Sequence, residues 1–148
     1  MKAIQLKKEH TLTCLKFDEI SLNGLWNKEQ WAKELDDPHR ICLGFFKQST
    51  LLAIACGWLV TDELQLTALA VHPEHRRKGL GQTLVKQMLK RAEESGARRA
   101  ILEVSNENLA AISFYKKIGF KTSGLRKNYY QNGSHAILQW LDIRDLRA

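Results

Sequence analysis

Leu66-Thr67-Ala68-Leu69-Ala70-Val71-His72-Pro73-Glu74-His75-Arg76-Arg77-Lys78-Gly79-Leu80-Gly81 opens a segment that runs on to Gly96 and around which the rest of the chain is arranged. Its first six residues form a run that is apolar but for Thr67 and suits a buried strand. Pro73 stops that strand, because it has no N–H for a sheet ladder. Beyond the glycines, Leu84, Val85, Met88, Leu89 and Ala92 recur at helical spacing, which predicts a helix over 82–95 with Gly96 at its C-cap. Strand, basic glycine loop and helix together offer backbone N–H groups and a helix N-terminus to a phosphate. A Gly-x-Gly run is equally the mark of a simple turn. The cations Arg76, Arg77 and Lys78 favour the anion, since positive charge before a helix start opposes the macrodipole. No Gly-Lys-Ser/Thr follows, which excludes a nucleotide-triphosphatase loop, and the third glycine of a dinucleotide fold is missing. The expected ligand is therefore the pyrophosphate of another cofactor.

Working outward, 148 residues predict one domain, 1–148, with a substantial core. The net charge of +7 favours acidic partners or a solvated basic face. Cys14, Cys42 and Cys56 are odd in number and widely spaced, which argues against a disulfide framework or zinc site and for a reducing compartment. The N-terminus does not open as a signal peptide and no apolar run is long enough to span a bilayer, so a cytoplasmic protein without membrane contact is expected.

Upstream, the pattern predicts a short strand at 3–6, a helix at 10–20 and a second helix from Asn27 to Leu35, opened by the Asn27/Gln30 capping box. Strands follow at 40–47 and 51–60, so three consecutive antiparallel strands lead into the glycine loop. Downstream, 99–104 forms a strand parallel to 66–71 through a helical crossover. Asn106 or Asn108 caps a helix over 109–118 that ends at Gly119. Strands at 121–130 and 135–143 flank Asn132-Gly133, a strong hairpin signal. The fold class expected is α/β, a mixed central sheet of about seven strands flanked by about four helices.

Three residues stand out for chemistry. Asn108 and Tyr115 are two helical turns apart and face one ligand if the helix starts at Asn108. Glu103 ends its strand at the carboxyl edge, where open α/β sheets place ligands. Each has a plainer reading as well: an N-cap, a core tyrosine and an outward-facing strand residue.

Arg76-x-x-Gly79-x-Gly81 after Leu69-Ala70-Val71-His72-Pro73, and Asn108-x-x-Ala111-x-x-x-Tyr115-x-x-x-Gly119-Phe120, resemble the two signatures of the GNAT N-acetyltransferases. Leu102-Glu103-Val104 and Arg126-x-Asn128-Tyr129-Tyr130 resemble the RimI type, which acetylates the N-terminal alanine of a small-subunit ribosomal protein. The resemblance implies the GNAT fold, with acetyl-CoA as cosubstrate and the N-terminal peptide of a ribosomal protein as acceptor. It implies that Leu69, Ala70 and Val71 pair with the pantetheine arm. Arg76, Arg77, Lys78, Gly79, Leu80, Gly81 and Gln82 would hold the pyrophosphate, and Asn108 and Tyr115 would contact the cofactor. Glu103 would be the general base, and Tyr115 would protonate the departing thiolate.

That chemistry suits an α-amine, which near ~8 is partly neutral at pH 7, whereas a lysine near ~10.4 is almost wholly charged. Two departures mark the acceptor side. Leu25-Trp26-Asn27 stands where RimI-type sequences carry an aromatic-Pro-Trp-Ser stretch, and His135-Ala136-Ile137-Leu138 replaces an acidic start. His135 reads as a surface histidine or a pH-sensitive substrate contact. The other histidines, His10, His39, His72 and His75, show no metal-ligand spacing. Alternative acceptors are a small-molecule amine or a protein lysine. An acetyl-CoA-binding sensor needs neither Glu103 nor Tyr115, and direct nucleic-acid binding is not expected.

Overall fold

A computed structural model describes residues 1–147. In chain order the elements are β1 (Ile4–Gln5), α1 (Thr11–Ser21), α2 (Lys28–Asp36), β2 (Arg40–Lys47), β3 (Thr50–Val60), β4 (Glu63–Val71), α3 (Leu80–Glu94), β5 (Arg99–Ser105), α4 (Leu109–Ile118), β6 (Lys121–Arg126) and β7 (Ala136–Asp142). The strands form one mixed sheet in the order β1-β2-β3-β4-β5-β7-β6. The expected α/β class, with seven strands and four α-helices among the described residues, is what the chain adopts.

Period-two alternation sends side chains to two separate cores. Ala100, Leu102 and Val104 of β5 meet Leu84, Val85, Met88, Leu89 and Ala92 of α3 on one face. On the other, Cys42, Ile54, Cys56 and Ala70 lie under Cys14 and Phe17 of α1 and Trp31 and Leu35 of α2. Cys42 and Cys56 face each other across β2 and β3 at 2.6 Å. Burial pushes the Cys14 thiol up to about 12, and the Cys56 thiol is raised for the same reason, so these are packing residues rather than nucleophiles.

The feature that matters for function is where the sheet comes apart. β4 and β5 are parallel, but they pair only at Glu63–Gln65 against Arg99–Ile101. On its other edge β4 stays paired with β3 to Val71, with a register shift that sets Gly57 opposite Leu66 and Cys56 opposite Ala68. Thr67 is thus an extra residue, and such a bulge bends and twists its strand. A Cβ at Gly57 would lie 2.7 Å from Leu64 Cδ1 and 2.9 Å from Met88 Cε, so any larger residue would force these two side-chain ends to shift. The bend carries β4 away from β5 and leaves one backbone edge of Leu66–Val71 facing a wedge-shaped opening.

The Asn27/Gln30 capping box forms as expected, with Asn27 Oδ1 accepting from Gln30 N at 2.8 Å and Gln30 Oε1 from Asn27 N at 2.9 Å. Elsewhere boundaries shift. The glycine-loop helix starts at Leu80 rather than 82, and β4 starts at Glu63 rather than 66. β5 runs on to Ser105, so Glu103 sits inside the strand and not at its end. The larger correction is at the last strand pair. β6 stops at Arg126, and residues 127–135 form a long connection in place of a tight Asn-Gly hairpin. Asn132 Oδ1 accepts from Ser134 N and Ser134 Oγ, at 3.0 and 2.7 Å, folding the Asn-Gly turn back on its own loop.

One buried charge anchors α2. Glu34 is 8% exposed and meets Arg40 at 3.1 Å, and Arg40 also lies over the Trp58 ring at 4.9 Å. Burial raises the Glu34 carboxyl more than Arg40 lowers it, and its Oε1 has no hydrogen-bond partner among the described residues. Arg40→Met should therefore destabilise the fold by about 3 kcal/mol at neutral pH, because it strands a buried carboxylate. A group raised in the folded state stabilises only below its ordinary range and loses that contribution as pH rises. The deficit should accordingly shrink in mild acid, where Glu34 protonates. An unchanged Tm at neutral pH would contradict this.

Candidate active site

The loop from His72 to Gly79 turns the end of β4 into the start of α3. Pro73–His75 forms a 3-10 turn, and Arg76 Nε donates to Val71 O at 3.1 Å, tying the loop to the strand end. Arg77 and Gly79 both take left-handed conformations, with φ of 65° and 76°. For glycine at the N-cap that conformation is free of strain. Its position makes no side-chain cap, and the first backbone bond of the helix is Thr83 N to Gly79 O at 3.1 Å. The N–H groups of Leu80, Gly81 and Gln82 thus point outward from the helix end, as first-turn donors do.

These donors border a cleft of about 370 Å³ whose walls include Val71, Arg76, Arg77, Gly79, Gln82, Phe114 and Lys117. Nothing lies within 4 Å of a Cβ built at Gly79, while one at Gly81 would touch Phe114 at 3.4 Å. So Gly79 keeps the cleft open, and Gly81 lets α3 approach α4. Cations, first-turn N–H groups and an uncapped helix end suit a pyrophosphate. The same turn brings His72, Glu74 and His75 together, with ligand atoms within 4.8 Å, a cluster that no metal-ligand spacing signalled. Lys78 Nζ lies 3.4 Å from His75 Nδ1, and His72 Nδ1 already accepts from Glu74 N. With Arg76 and Arg77 alongside, that field favours anions.

Asn108 is the N-cap of α4, its Oδ1 accepting from Ala111 N at 3.1 Å, which leaves the Nδ2 end as a donor toward solvent. The plainer reading of Asn108 thus holds, and it does not consume the whole side chain. Tyr115, further along α4, packs edge-on against Phe114 and Phe120 at ring separations of 5.1 and 5.5 Å. Burial pushes its hydroxyl up to about 12. Glu103 projects from the opposite face of the sheet, the alternate face of β5 from Leu102 and Val104. The two candidate catalytic residues therefore lie on opposite sides of the sheet, Tyr115 on α4 and Glu103 on β5.

Arg126 and Tyr130 carried no individual role in the sequence. Arg126 Nη2 lies 3.5 Å from Glu103 Oε1, and Arg126 stacks over Tyr129 at 5.6 Å. Tyr130 is held above the usual phenol range by burial and then by the charge of Glu103. His135 is half-buried and held at two points. Its Nδ1 accepts from Asn128 N at 2.9 Å and its backbone N–H donates to Asn106 Oδ1 at 2.9 Å, bracing the 127–135 connection. Asn106, the other candidate cap, does this instead of capping α4. A long loop gives no periodicity, so these partners had no signal in the sequence beyond the aromatic-basic clustering at 126–130.

The arrangement corresponds to known proteins across nearly the whole chain. Residues 8–120 match the Acetyltransferase (GNAT) family. A Bacillus subtilis (strain 168) protein, provisionally named a [ribosomal protein bS18]-alanine N-acetyltransferase, is 36% identical over 127 residues, 84% of each chain. The [ribosomal protein bS18]-alanine N-acetyltransferase of Escherichia coli (strain K12) is 38% identical over 105 residues, 71% of this chain and 70% of that one. The crystal structure of the ribosomal-protein-S18-alanine N-acetyltransferase from Escherichia coli superposes with a TM-score of 0.86 at 26% identity, covering 96% of this chain and 93% of that chain. The fold, the parted β4 and β5, the glycine loop and the family match lead to one conclusion: this chain belongs to the GNAT acetyltransferase family and is an N-acetyltransferase that draws its acetyl group from acetyl-CoA.

Proposed function

We propose that this enzyme acetylates the N-terminal α-amine, an alanine, of a small-subunit ribosomal protein of the bS18 kind, and that it does so in the cytoplasm without contacting nucleic acid itself. The observation that carries the reading is that relatives 36% and 38% identical over most of the chain bear that activity in their names. No helix among the described residues is long and apolar enough to cross a membrane.

The residues divide the work as follows. The loop at 76–82 binds the pyrophosphate through the N–H groups of Gly79 to Gln82 and the charges of Arg76, Arg77 and Lys78, with the Asn108 amide contacting the cofactor. The free edge of Leu69, Ala70 and Val71 takes the pantetheine arm as an added strand would. The acceptor amine approaches from the Glu103 face. Glu103, oriented by Arg126, takes a proton from the ammonium form, directly or through water, the neutral nitrogen's lone pair attacks the thioester carbonyl, and the second proton that nitrogen sheds on collapse passes to solvent. The developing oxyanion is met by a backbone N–H of the same β4 edge. As the C–S bond breaks, Tyr115 donates a hydrogen bond to the sulfur. With its hydroxyl near 12, surrender of that proton to an ordinary thiolate of about 8.5 is uphill. Tyr115 thus stabilises the leaving thiolate by hydrogen bonding, and solvent completes the protonation.

Glu103→Gln keeps the shape of the side chain and removes its basicity. Its kcat/KM for an α-amine acceptor should fall by ~100-fold near neutrality and recover toward high pH, where free amine accumulates. A pH–rate profile parallel to that of the unaltered enzyme would mean another base. The function itself is tested by incubating the enzyme and acetyl-CoA with small-subunit ribosomal proteins from cells lacking it. N-terminal peptide masses are then read. Acetylation confined to one alanine terminus supports the proposal, and none, or acetylation only on lysines, refutes it.

A further inference from the structure

His135 is tied to the strand ends on both sides of it, and by different groups. Toward the end of β5 it uses its backbone: its N–H donates to Asn106 Oδ1 at 2.9 Å, and its carbonyl accepts from Asn106 N at 2.9 Å. Toward β6 only the ring is left. Pairing of β6 with β7 ends at Arg126 opposite Ala136. Just beyond, the backbone N–H of Asn128 donates to His135 Nδ1 at 2.9 Å. An imidazole thus stands in for a carbonyl as the next rung of that ladder. Further round, Tyr130 N donates to Ser134 O at 3.2 Å and Gly133 N to Tyr130 O at 3.0 Å, closing the tip of the connection on itself.

A backbone N–H only donates, so this bond fixes the state of the ring. Nδ1 must carry a lone pair, which puts the ring proton on Nε2 and leaves the imidazole neutral. The imidazolium has hydrogens on both nitrogens and would set one N–H against another. Imidazoles change charge between about pH 5 and 8. The brace therefore exists at the upper end of that window and is lost as pH falls through it. A carboxylate in the same place would keep accepting down to about pH 4. Histidine makes the bond conditional. The titratable and charged groups nearest along the elements that meet here are Arg126, Lys127, Tyr129 and Tyr130 on β6 and the connection, and Glu103 and Glu107 on β5 and its extension. As classes these titrate near ~4, near ~10 or higher, outside the window, so the ring is the group that changes.

What the bond holds bears on the catalytic carboxylate. Asn128 is left-handed, at φ 53°, a conformation that asparagine tolerates and the ring bond secures. Tyr129 follows it directly. The Arg126 guanidinium lies over the Tyr129 ring at 5.6 Å and 3.5 Å from Glu103 Oε1. The Arg126 side chain is more than half exposed, and an exposed ion pair keeps its geometry only weakly by itself. The Tyr129 ring supplies a second point of contact, and the Asn128 bond sets where Tyr129 stands. We propose that neutral His135 is a positioning residue for Glu103: its Nδ1 lone pair holds Asn128 and, through Tyr129, keeps Arg126 on the carboxylate, and protonation of the ring releases that arrangement. This rests on the reading of Glu103 as the general base.

His135→Asn tests this, because asparagine Oδ1 stands where Nδ1 does and accepts at any pH, whereas His135→Leu removes the acceptor throughout. The kcat/KM of a variant divided by that of the unaltered enzyme cancels the titration of the acceptor amine and of Glu103, which both proteins share. For asparagine this ratio should rise from ~1 near pH 8 to ~5 near pH 5.5, the size of one neutral hydrogen bond, with acetyl-CoA Kd unchanged. For leucine it should run from ~0.2 near pH 8 to ~1 near pH 5.5. Amide hydrogen exchange reads the brace without catalysis. Protection of the Asn128 amide should fall over the same range in the unaltered protein and persist in His135→Asn. An asparagine ratio that is flat with pH overturns the positioning role. An Asn128 amide unprotected at the upper pH, or equally protected at both, overturns the brace. If the leucine variant does not fold, the asparagine ratio and the exchange decide. If Glu103→Gln keeps the pH–rate profile of the unaltered enzyme, the general-base reading falls and the link to catalysis with it, while Asn128 protection still decides whether the ring holds the connection.

Discussion

Tyr115→Phe is expected to lower kcat by ~100-fold while leaving acetyl-CoA affinity and Tm where they were, the size typical of removing one preorganised donor from a developing negative charge. Phenylalanine keeps the edge-on contacts with Phe114 and Phe120, so only the hydroxyl is lost. Burial pushes that hydroxyl up to about 12, so it remains a donor across the working range. An ordinary tyrosine would begin to ionise near ~10 and produce an alkaline limb there. The unaltered enzyme should therefore show no loss of kcat from this group up to pH 10. Unchanged turnover in the phenylalanine variant, measured under saturating acetyl-CoA, would remove Tyr115 from the leaving-group role.

Gly79→Val should weaken acetyl-CoA binding by ~100-fold, equivalent to losing one or two charge-assisted hydrogen bonds to the pyrophosphate. Two effects combine. Gly79 sits at φ 76°, which a β-branched residue adopts only under strain. A Cβ there also projects into the open cleft, since nothing in the protein lies within 4 Å of it. Gly79→Asn separates the two, because asparagine tolerates the left-handed region but still fills the space. If occlusion dominates, the asparagine variant binds as poorly as the valine one. If strain dominates, it binds nearly normally. Unaltered affinity in Gly79→Val would take the loop out of the cofactor site.

How much of this was legible beforehand differs by kind of signal. α4 was readable to the residue, because Asn108, Gly119 and the intervening apolar spacing are all local. The capping box of α2 and the strand–glycine–helix order were local in the same way. What escaped depended on pairing across the sheet. The bulge at Thr67 is a relation between β3 and β4, and no property of Thr67 alone announces it. The parting of β4 from β5 beyond Gln65 is likewise a relation between strands, and Gly57, opposite Leu66, reads from the sequence only as part of an apolar run. The Asn-Gly hairpin failed for the converse reason. Asn132 has a good local signal, but its side chain is taken up by Ser134, and residues 127–135 form a longer connection that His135 braces through Asn128 and Asn106. The buried Asp18 carboxylate shows the same limit, since it accepts from Leu25 N, Trp26 N and Trp31 Nε1, up to thirteen residues away on a turn and another helix.

The most direct measurement is release of free thiol from acetyl-CoA with two peptides of matched sequence, one with a free N-terminal alanine and one N-terminally blocked and offering only lysine. The account predicts release with the free terminus and none above background with the blocked peptide. Release with the lysine peptide alone, or equal release with both, would contradict it.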